Sequence, residues 1–112
     1  MATRDYSDKQ EKRIASYLGG RVQSGSGATS HAKGDVIYED WLIECKTKTS
    51  KSKSHSIQKA WLEKAKEQTC QMGLNYTALA FDFGDGEDQI ILSLDTFKEL
   101  LDYKEIIESE EH

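Results

Sequence analysis

The residues of this chain best suited to chemistry are Asp35, Glu44 and Lys46, with eight residues between the first two and one between the last two. Asp35-Val36-Ile37-Tyr38 and Trp41-Leu42-Ile43-Glu44-Cys45-Lys46 both read as strands, separated by Glu39-Asp40. In a hairpin with that two-residue loop, Tyr38 faces Trp41, Ile37 faces Leu42, Val36 faces Ile43, and Asp35 faces Glu44. Opposed residues of an antiparallel pair share a face, with Cβ atoms about 5 Å apart. Alternate residues of one strand share a face as well. Asp35, Glu44 and Lys46 are therefore expected together, flanked by Ile37 and Leu42. The register hangs on the turn, and Glu39-Asp40 is not a favoured two-residue turn.

Two facing carboxylates repel each other unless a cation lies between them. Mg²⁺ takes oxygen ligands, usually one or two carboxylates with waters and substrate phosphate. The backbone carbonyl of Cys45 is a further candidate oxygen. Lys46 would then help orient a water or stabilise charge on an attacked phosphate. That set matches metal-assisted hydrolysis of a phosphodiester. A plainer reading competes, in which Asp, Glu and Lys on a strand form its solvent face with a weak ion pair. Three features weigh against it: a carboxylate at Glu11 on an otherwise apolar helix stripe, a Gly-rich loop before Asp35, and a lysine-rich loop after Lys46.

The elements that must position these groups follow from spacing. Ser7-Asp8-Lys9-Gln10 fits a capping box, so a helix is expected over 7–18, stopping at Gly19-Gly20. Its stripe is Ile14, Ala15 and Leu18, and Glu11 lies three, four and seven residues earlier, on the same face. Residues 21–23 read as a short strand and 24–34 as a Gly/Ser-rich loop. Residues 47–56 contain no large apolar side chain and read as a mobile loop. A helix over 57–72 carries Ile57, Trp61, Ala65 and Met72 and ends at Gly73. Strands over 76–83 and 89–94 surround Gly84-Asp85-Gly86. Asp95 is the expected cap of a last helix holding Phe97, Leu100 and Leu101, and the acidic end, 108–112, is expected to fray. The predicted fold is α/β, in the order α-β-β-β-α-β-β-α, a mixed sheet flanked by helices in a single domain over 1–112.

Composition sets limits on function. With 112 residues, 37% hydrophobic and 31% charged, the chain supports one small core and a wet surface. It has no apolar run of the roughly 18 residues that a membrane helix needs, and Met1-Ala2-Thr3-Arg4-Asp5 lacks a signal-peptide core. Cys45 and Cys70 read as free thiols in a reducing cytoplasm. A zinc site from these with His31, His55 and His112 fits no common spacing. The net charge of −5 hides an asymmetry. Residues 46–66 hold seven lysines against one acid, and residues 82–112 hold eleven acids against two lysines. A local basic field can steer a polyanion, although a solvated lysine face is the plainer reading of charge alone.

Gly34-Asp35-Val36 followed by Leu42-Ile43-Glu44-Cys45-Lys46-Thr47 resembles the signature of the PD-(D/E)xK nuclease superfamily. The preceding Arg21-Val22-Gln23-Ser24-Gly25-Ser26-Gly27-Ala28 and the helix bearing Glu11 are similar to the small Holliday junction resolvases of phage and archaea. The likeness covers roughly residues 10–68, with a weaker match through the strand of Phe81. A bare D…ExK is unspecific, while the ordered set of Glu, SGSGA loop, GD and ECK is fairly specific. The resemblance implies a restriction-endonuclease-like core and Mg²⁺-dependent DNA cleavage, with Mn²⁺ substituting, in the cytoplasm of a bacterial or archaeal host. Glu11, Asp35 and Glu44 would match the acidic metal site, and Lys46 the catalytic lysine. A homodimer cutting opposed strands of a four-way junction is implied too. Ser26 and Ser30 fall in the loop where such resolvases place a serine near DNA. Gly34 stands where the motif has proline, and the acidic tail has no counterpart in the pattern.

Arg13, Arg21 and Lys33 flank the expected site and are candidates to hold phosphates, with Lys48, Lys51 and Lys53 doing so more loosely. Lys64 and Gln68 border the Trp61/Ala65 stripe. Lys64 reads as a snorkelling edge residue, and Gln68 as either an edge residue or one that reaches the site. Asp82, Asp85, Glu87 and Asp88 lack EF-hand spacing and read as an acidic turn. Trp61 and Phe81 read as core. Two other functions stay open: a nuclease of the same fold acting on flaps, nicks or duplex, and a non-catalytic DNA-binding protein.

Overall fold

The computed structural model describes residues 2–23 and 35–111. Eight elements follow in order: α1 (Ala2–Leu18), β1 (Arg21–Val22), β2 (Val36–Tyr38), β3 (Trp41–Lys46), α2 (Lys59–Gln71), β4 (Tyr76–Phe81), β5 (Gln89–Ile91) and α3 (Leu94–Glu110). The strands form one mixed sheet in the order β1-β2-β3-β4-β5. Only β3 and β4 run parallel, and α2 is the crossover that parallel neighbours require.

The two faces of β3 divide the core. Trp41, Ile43 and Cys45 pack with Ile14 and Ala15 of α1, together with Val36, Ala78 and Ala80. Leu42 packs on the other face with Ile37 and with Ala65 of α2. Alternation along β3 sends Glu44 and Lys46 to this second face.

The hairpin takes the expected register: Tyr38 opposite Trp41, Ile37 opposite Leu42, Val36 opposite Ile43. Its unfavourable turn holds Glu39 at φ 50°. The strain is met by tertiary contacts on Asp40. Its carbonyl accepts from the backbone N–H groups of Asn75 and Tyr76, and its carboxylate from the Asn75 amide at 2.9 Å.

Several boundaries differ from the sequence expectations, each for a local reason. The first helix starts at Ala2 and runs through Ser7, so the capping box is not used. No Gly or Pro lies in 2–18 to stop it, and Gln10 is needed elsewhere. It ends as expected, with the Gly19 and Gly20 N–H groups on the Ala15 carbonyl and Gly19 at φ 81°. Leu18, placed on the buried stripe from spacing, is exposed. The second helix begins at Lys59, because Gln58 is still extended, and Ile57 precedes it. Ser93 rather than Asp95 caps the last helix, accepting from the Thr96 N–H at 3.1 Å. Asp95 lies in the first turn, where a carboxylate suits the helix dipole. The acidic end, expected to fray from 108, stays helical through Glu110.

Residues 47–56 carry no helix or strand, but they are tied to the turn after β4. The Ser52 N–H donates to the Phe83 carbonyl, and Thr47 Oγ1 to Asp82 at 2.7 Å. Gly84 permits the approach: at φ 78°, a Cβ there would overlap the Ser50 carbonyl.

Candidate active site: a buried carboxylate pair beside a lysine

One step beyond the Val36–Ile43 pair, the register brings Asp35 opposite Glu44. The Gln23 N–H donates to the Asp35 carbonyl at 2.7 Å, anchoring that residue at the end of β2. Both side chains are buried, Asp35 at 3% exposure and Glu44 at 7%. The two carboxyls lie near enough for a proton on one to be shared with the other. Burial is the main cause that pushes Asp35 up to about 9, followed by the hydrogen bond and the negative charge of Glu44, then by Glu11. Lys46 pulls weakly the other way. Asp35 Oδ2 is buried with no hydrogen-bond partner.

Lys46 Nζ stands 3.2 Å from Glu44 Oε2 and 4.7 Å from the centre of the Trp61 ring. The lysine is held between a carboxylate and an aromatic face, with its ammonium over the ring. Beyond it a cleft of about 390 Å³ is lined by Lys48, Thr49, Ser50, His55 and Trp61 among others. Trp61, expected in the core, is half-buried with its ring nearly perpendicular to that of His55, 6.2 Å between centres. His55 is fixed in turn by Nδ1 at 2.6 Å from the Asp82 carbonyl.

Glu11 is half-buried on α1, and its charge is felt by both Asp35 and Cys45. The described residues nevertheless assemble no group of three His, Cys, Asp or Glu side chains close enough to hold a metal ion. The structure thus brings Asp35, Glu44 and Lys46 together, with the charge of Glu11 near enough to act on Asp35. The β2–β3 ladder ends at Ile43, so the described part of β2 does not run beside Cys45. Burial and the neighbouring carboxylates push the Cys45 thiol up, which makes it an inert packing group.

Arg13, expected on phosphate, is engaged by protein. Its Nε and Nη2 each lie 2.7 Å from Asp88, and Nη2 is 3.2 Å from Asp82. The acidic turn exists to hold this guanidinium, the Thr47 hydroxyl and the Gly84 N–H. Arg21 is exposed and donates to Gln23 Oε1. Lys51 and Lys53 are exposed and Lys48 half-exposed, all along the loop after Lys46. Ser26, Ser30 and Lys33 lie outside the described residues.

Two glutamines complete the setting. Gln68 is 3% exposed on the sheet-facing side of α2, and neither atom of its amide has a partner. Gln10, read from sequence as a cap residue, is 1% exposed and donates through Nε2 to the Lys46 carbonyl at 2.8 Å. The signal for it was present: Gln10 precedes Ile14 by four residues and so shares its face.

A carboxyl whose proton is held by burial beside a second carboxyl, and which has a bare buried oxygen, fits a divalent cation taking the place of that proton. The donor set is all oxygen, which suits Mg²⁺ or Mn²⁺ rather than a softer metal. No protein-family model matches the chain, and no characterised protein or solved structure gives a significant match. Among the described residues, no helix is long and apolar enough to cross a membrane.

Proposed function

We propose that this chain is a Mg²⁺-dependent, structure-selective DNA endonuclease with a restriction-endonuclease-like core, acting as a homodimer on four-way junctions. The observation that carries the reading is the buried Asp35–Glu44 pair with Lys46 3.2 Å from Glu44. Burying two carboxylates side by side is costly for a fold. A metal site accounts for that cost, and a solvent-facing strand does not. Asp35 and Glu44 would hold the ion, with phosphate and water filling its other positions. Bound Mg²⁺ supplies Lewis acidity and neutralises phosphate charge. Lys46, steadied by Trp61 and by Gln10 on its own carbonyl, stabilises charge on the phosphate oxygens. Lys48, Lys51 and Lys53 hold the flanking backbone.

The test is cleavage of a synthetic four-way junction and of a linear duplex built from the same arms, in Mg²⁺ or in EDTA. Paired nicks in the junction alone are expected. Asp35→Asn and Glu44→Gln are expected to abolish cutting while junction binding stays within a few-fold of wild type. Cutting of both substrates would keep the nuclease and remove the junction preference. Tight binding without cutting by the wild type would make this a non-catalytic DNA-binding protein.

A further inference from the structure

The loop after β3 is fastened to one buried residue. Asp82, which directly follows β4, is 3% exposed. Its Oδ1 accepts from the Thr47 hydroxyl at 2.7 Å and from the Gly84 N–H at 3.1 Å. Its backbone carbonyl accepts from His55 Nδ1 at 2.6 Å. Thr47 and His55 stand near the two ends of the loop, so a single residue holds both. Between them the Ser52 N–H donates to the Phe83 carbonyl at 2.8 Å. Holding the ends removes freedom that a Lys/Ser stretch would otherwise lose on taking a ligand.

The cleft of about 390 Å³ beside Lys46 is lined by this loop and by α2. Its walls bring together Lys48, the imidazole of His55, the indole of Trp61 and the hydroxyl residues Thr49, Ser50 and Ser56. None of its lining residues is acidic, in a chain whose net charge is −5. Lys48 makes no ion pair among the described residues, whereas Lys46 is engaged by Glu44. The cleft lies at the carboxyl end of the parallel pair β3 and β4, where Lys46 and Phe81 are partners. The His55 ring stands 5.6 Å from that of Phe81. Open α/β sheets bind ligands outside the carboxyl ends of their strands.

His55 selects the class of ligand. A carbonyl oxygen can only accept, so Nδ1 carries the proton that faces Asp82. Nε2 is the ring's other polar atom, and it has no partner among the described residues. A protonated Nε2 donates to an anionic oxygen while Nδ1 keeps the Asp82 carbonyl, and both N–H groups of the imidazolium are then satisfied. With the Lys48 ammonium and hydroxyl donors around it, the set matches a tetrahedral oxyanion, and it offers a cation no carboxylate. We propose that this cleft is a phosphate-binding site, with His55 Nε2 and Lys48 as its principal donors. It stands on the loop and its Asp82 anchor, and holds whether or not Asp35 and Glu44 carry a metal. In the nuclease reading it takes a backbone phosphate other than the one attacked.

Titration of the isotope-labelled full chain with inorganic phosphate in EDTA, followed by nuclear magnetic resonance, tests it. The His55 ring nitrogens are identified by their loss in His55→Asn. Phosphate is expected to move Nε2 toward its protonated position while Nδ1 stays protonated. His55→Asn keeps an amide N–H for the Asp82 carbonyl and has no atom in place of Nε2. Phosphate affinity, read from the loop's backbone amides, should therefore fall about tenfold in that variant, with the near-ultraviolet signal of Trp41 and Trp61 retained. Lys48→Ala should lose a similar factor, and Lys66→Ala, exposed on α2, should lose none. A dinucleotide with one internal phosphodiester and the phosphate-free nucleoside separate the sources. A response to the dinucleotide but not to the nucleoside assigns the site to a nucleic-acid backbone, and a response to inorganic phosphate alone assigns it to a free phosphate group. An unmoved Nε2, an affinity unchanged in His55→Asn, or an equal loss in Lys66→Ala would each overturn the proposal. EDTA leaves the carboxylate pair without metal, so none of these outcomes depends on whether the chain cuts DNA.

Discussion

Asp35 shows how one buried group ties chemistry to stability. In the folded chain it keeps its proton well above neutrality, mainly through burial and then through Glu44. In the unfolded chain a carboxyl releases its proton near pH 4, by about 3.9 for Asp. Between these limits the unfolded chain binds fewer protons than the folded one, so stability falls as pH rises. The contribution is fully present below the unfolded value and is lost as pH climbs toward about 9. Urea unfolding in EDTA at several pH values should therefore show stability declining from acid to alkaline conditions. Asp35→Asn should flatten that decline, and so should saturating Mg²⁺ if the ion replaces the proton. A decline of the same slope in the variant would mean another group causes it.

At the scale of elements, the clamp between α1 and the turn before β5 determines how the first helix meets the sheet. Arg13 bridges Asp82, 4% exposed at its side chain, and Asp88, 17% exposed. Arg13→Ala would strand both carboxylates, an effect of about 1–3 kcal/mol for groups this sheltered. Urea denaturation should show that loss, and Asp88→Asn should show a smaller one because Arg13 retains Asp82. A secondary effect is expected at the site, since Gln10 lies one turn from Arg13 on the same helix and holds the Lys46 carbonyl. Arg13 shows why a basic residue near a site is ambiguous in sequence. Its partners are sixty-nine and seventy-five residues away, and nothing local announces them.

Across the whole molecule, charge is divided between the loop and helix after β3 and the acidic C-terminal third. The lysines of the 47–56 loop face solvent beside the cleft, while the acids of α3 project from the other end of the chain's path. If that loop contacts a DNA backbone, each lysine lost should reduce the slope of log affinity against log salt by about one unit. Replacing Lys48, Lys51 and Lys53 with alanine should lower the slope of junction binding by about three. Retention of the wild-type slope would place the DNA on another surface.

The local pattern of the chain was enough to specify the hairpin register and with it the meeting of Asp35, Glu44 and Lys46. Side chains alternate along a strand, and a two-residue loop leaves one pairing. It was enough as well to locate most elements to within a few residues, because periodicity is a property of neighbours in sequence. Burial, partners and cover are properties of neighbours in space. Tertiary structure alone decided that Gln10 serves Lys46 instead of a helix end, that Arg13 belongs to Asp82 and Asp88, and that Asp40 is braced by Asn75. It also decided that Phe97, Leu100 and Leu101, whose spacing reads as a core-facing stripe, are exposed and find no core to face among the described residues. A helix stripe declares that it must be covered, and only the arrangement of the other elements determines whether the cover comes from the same chain.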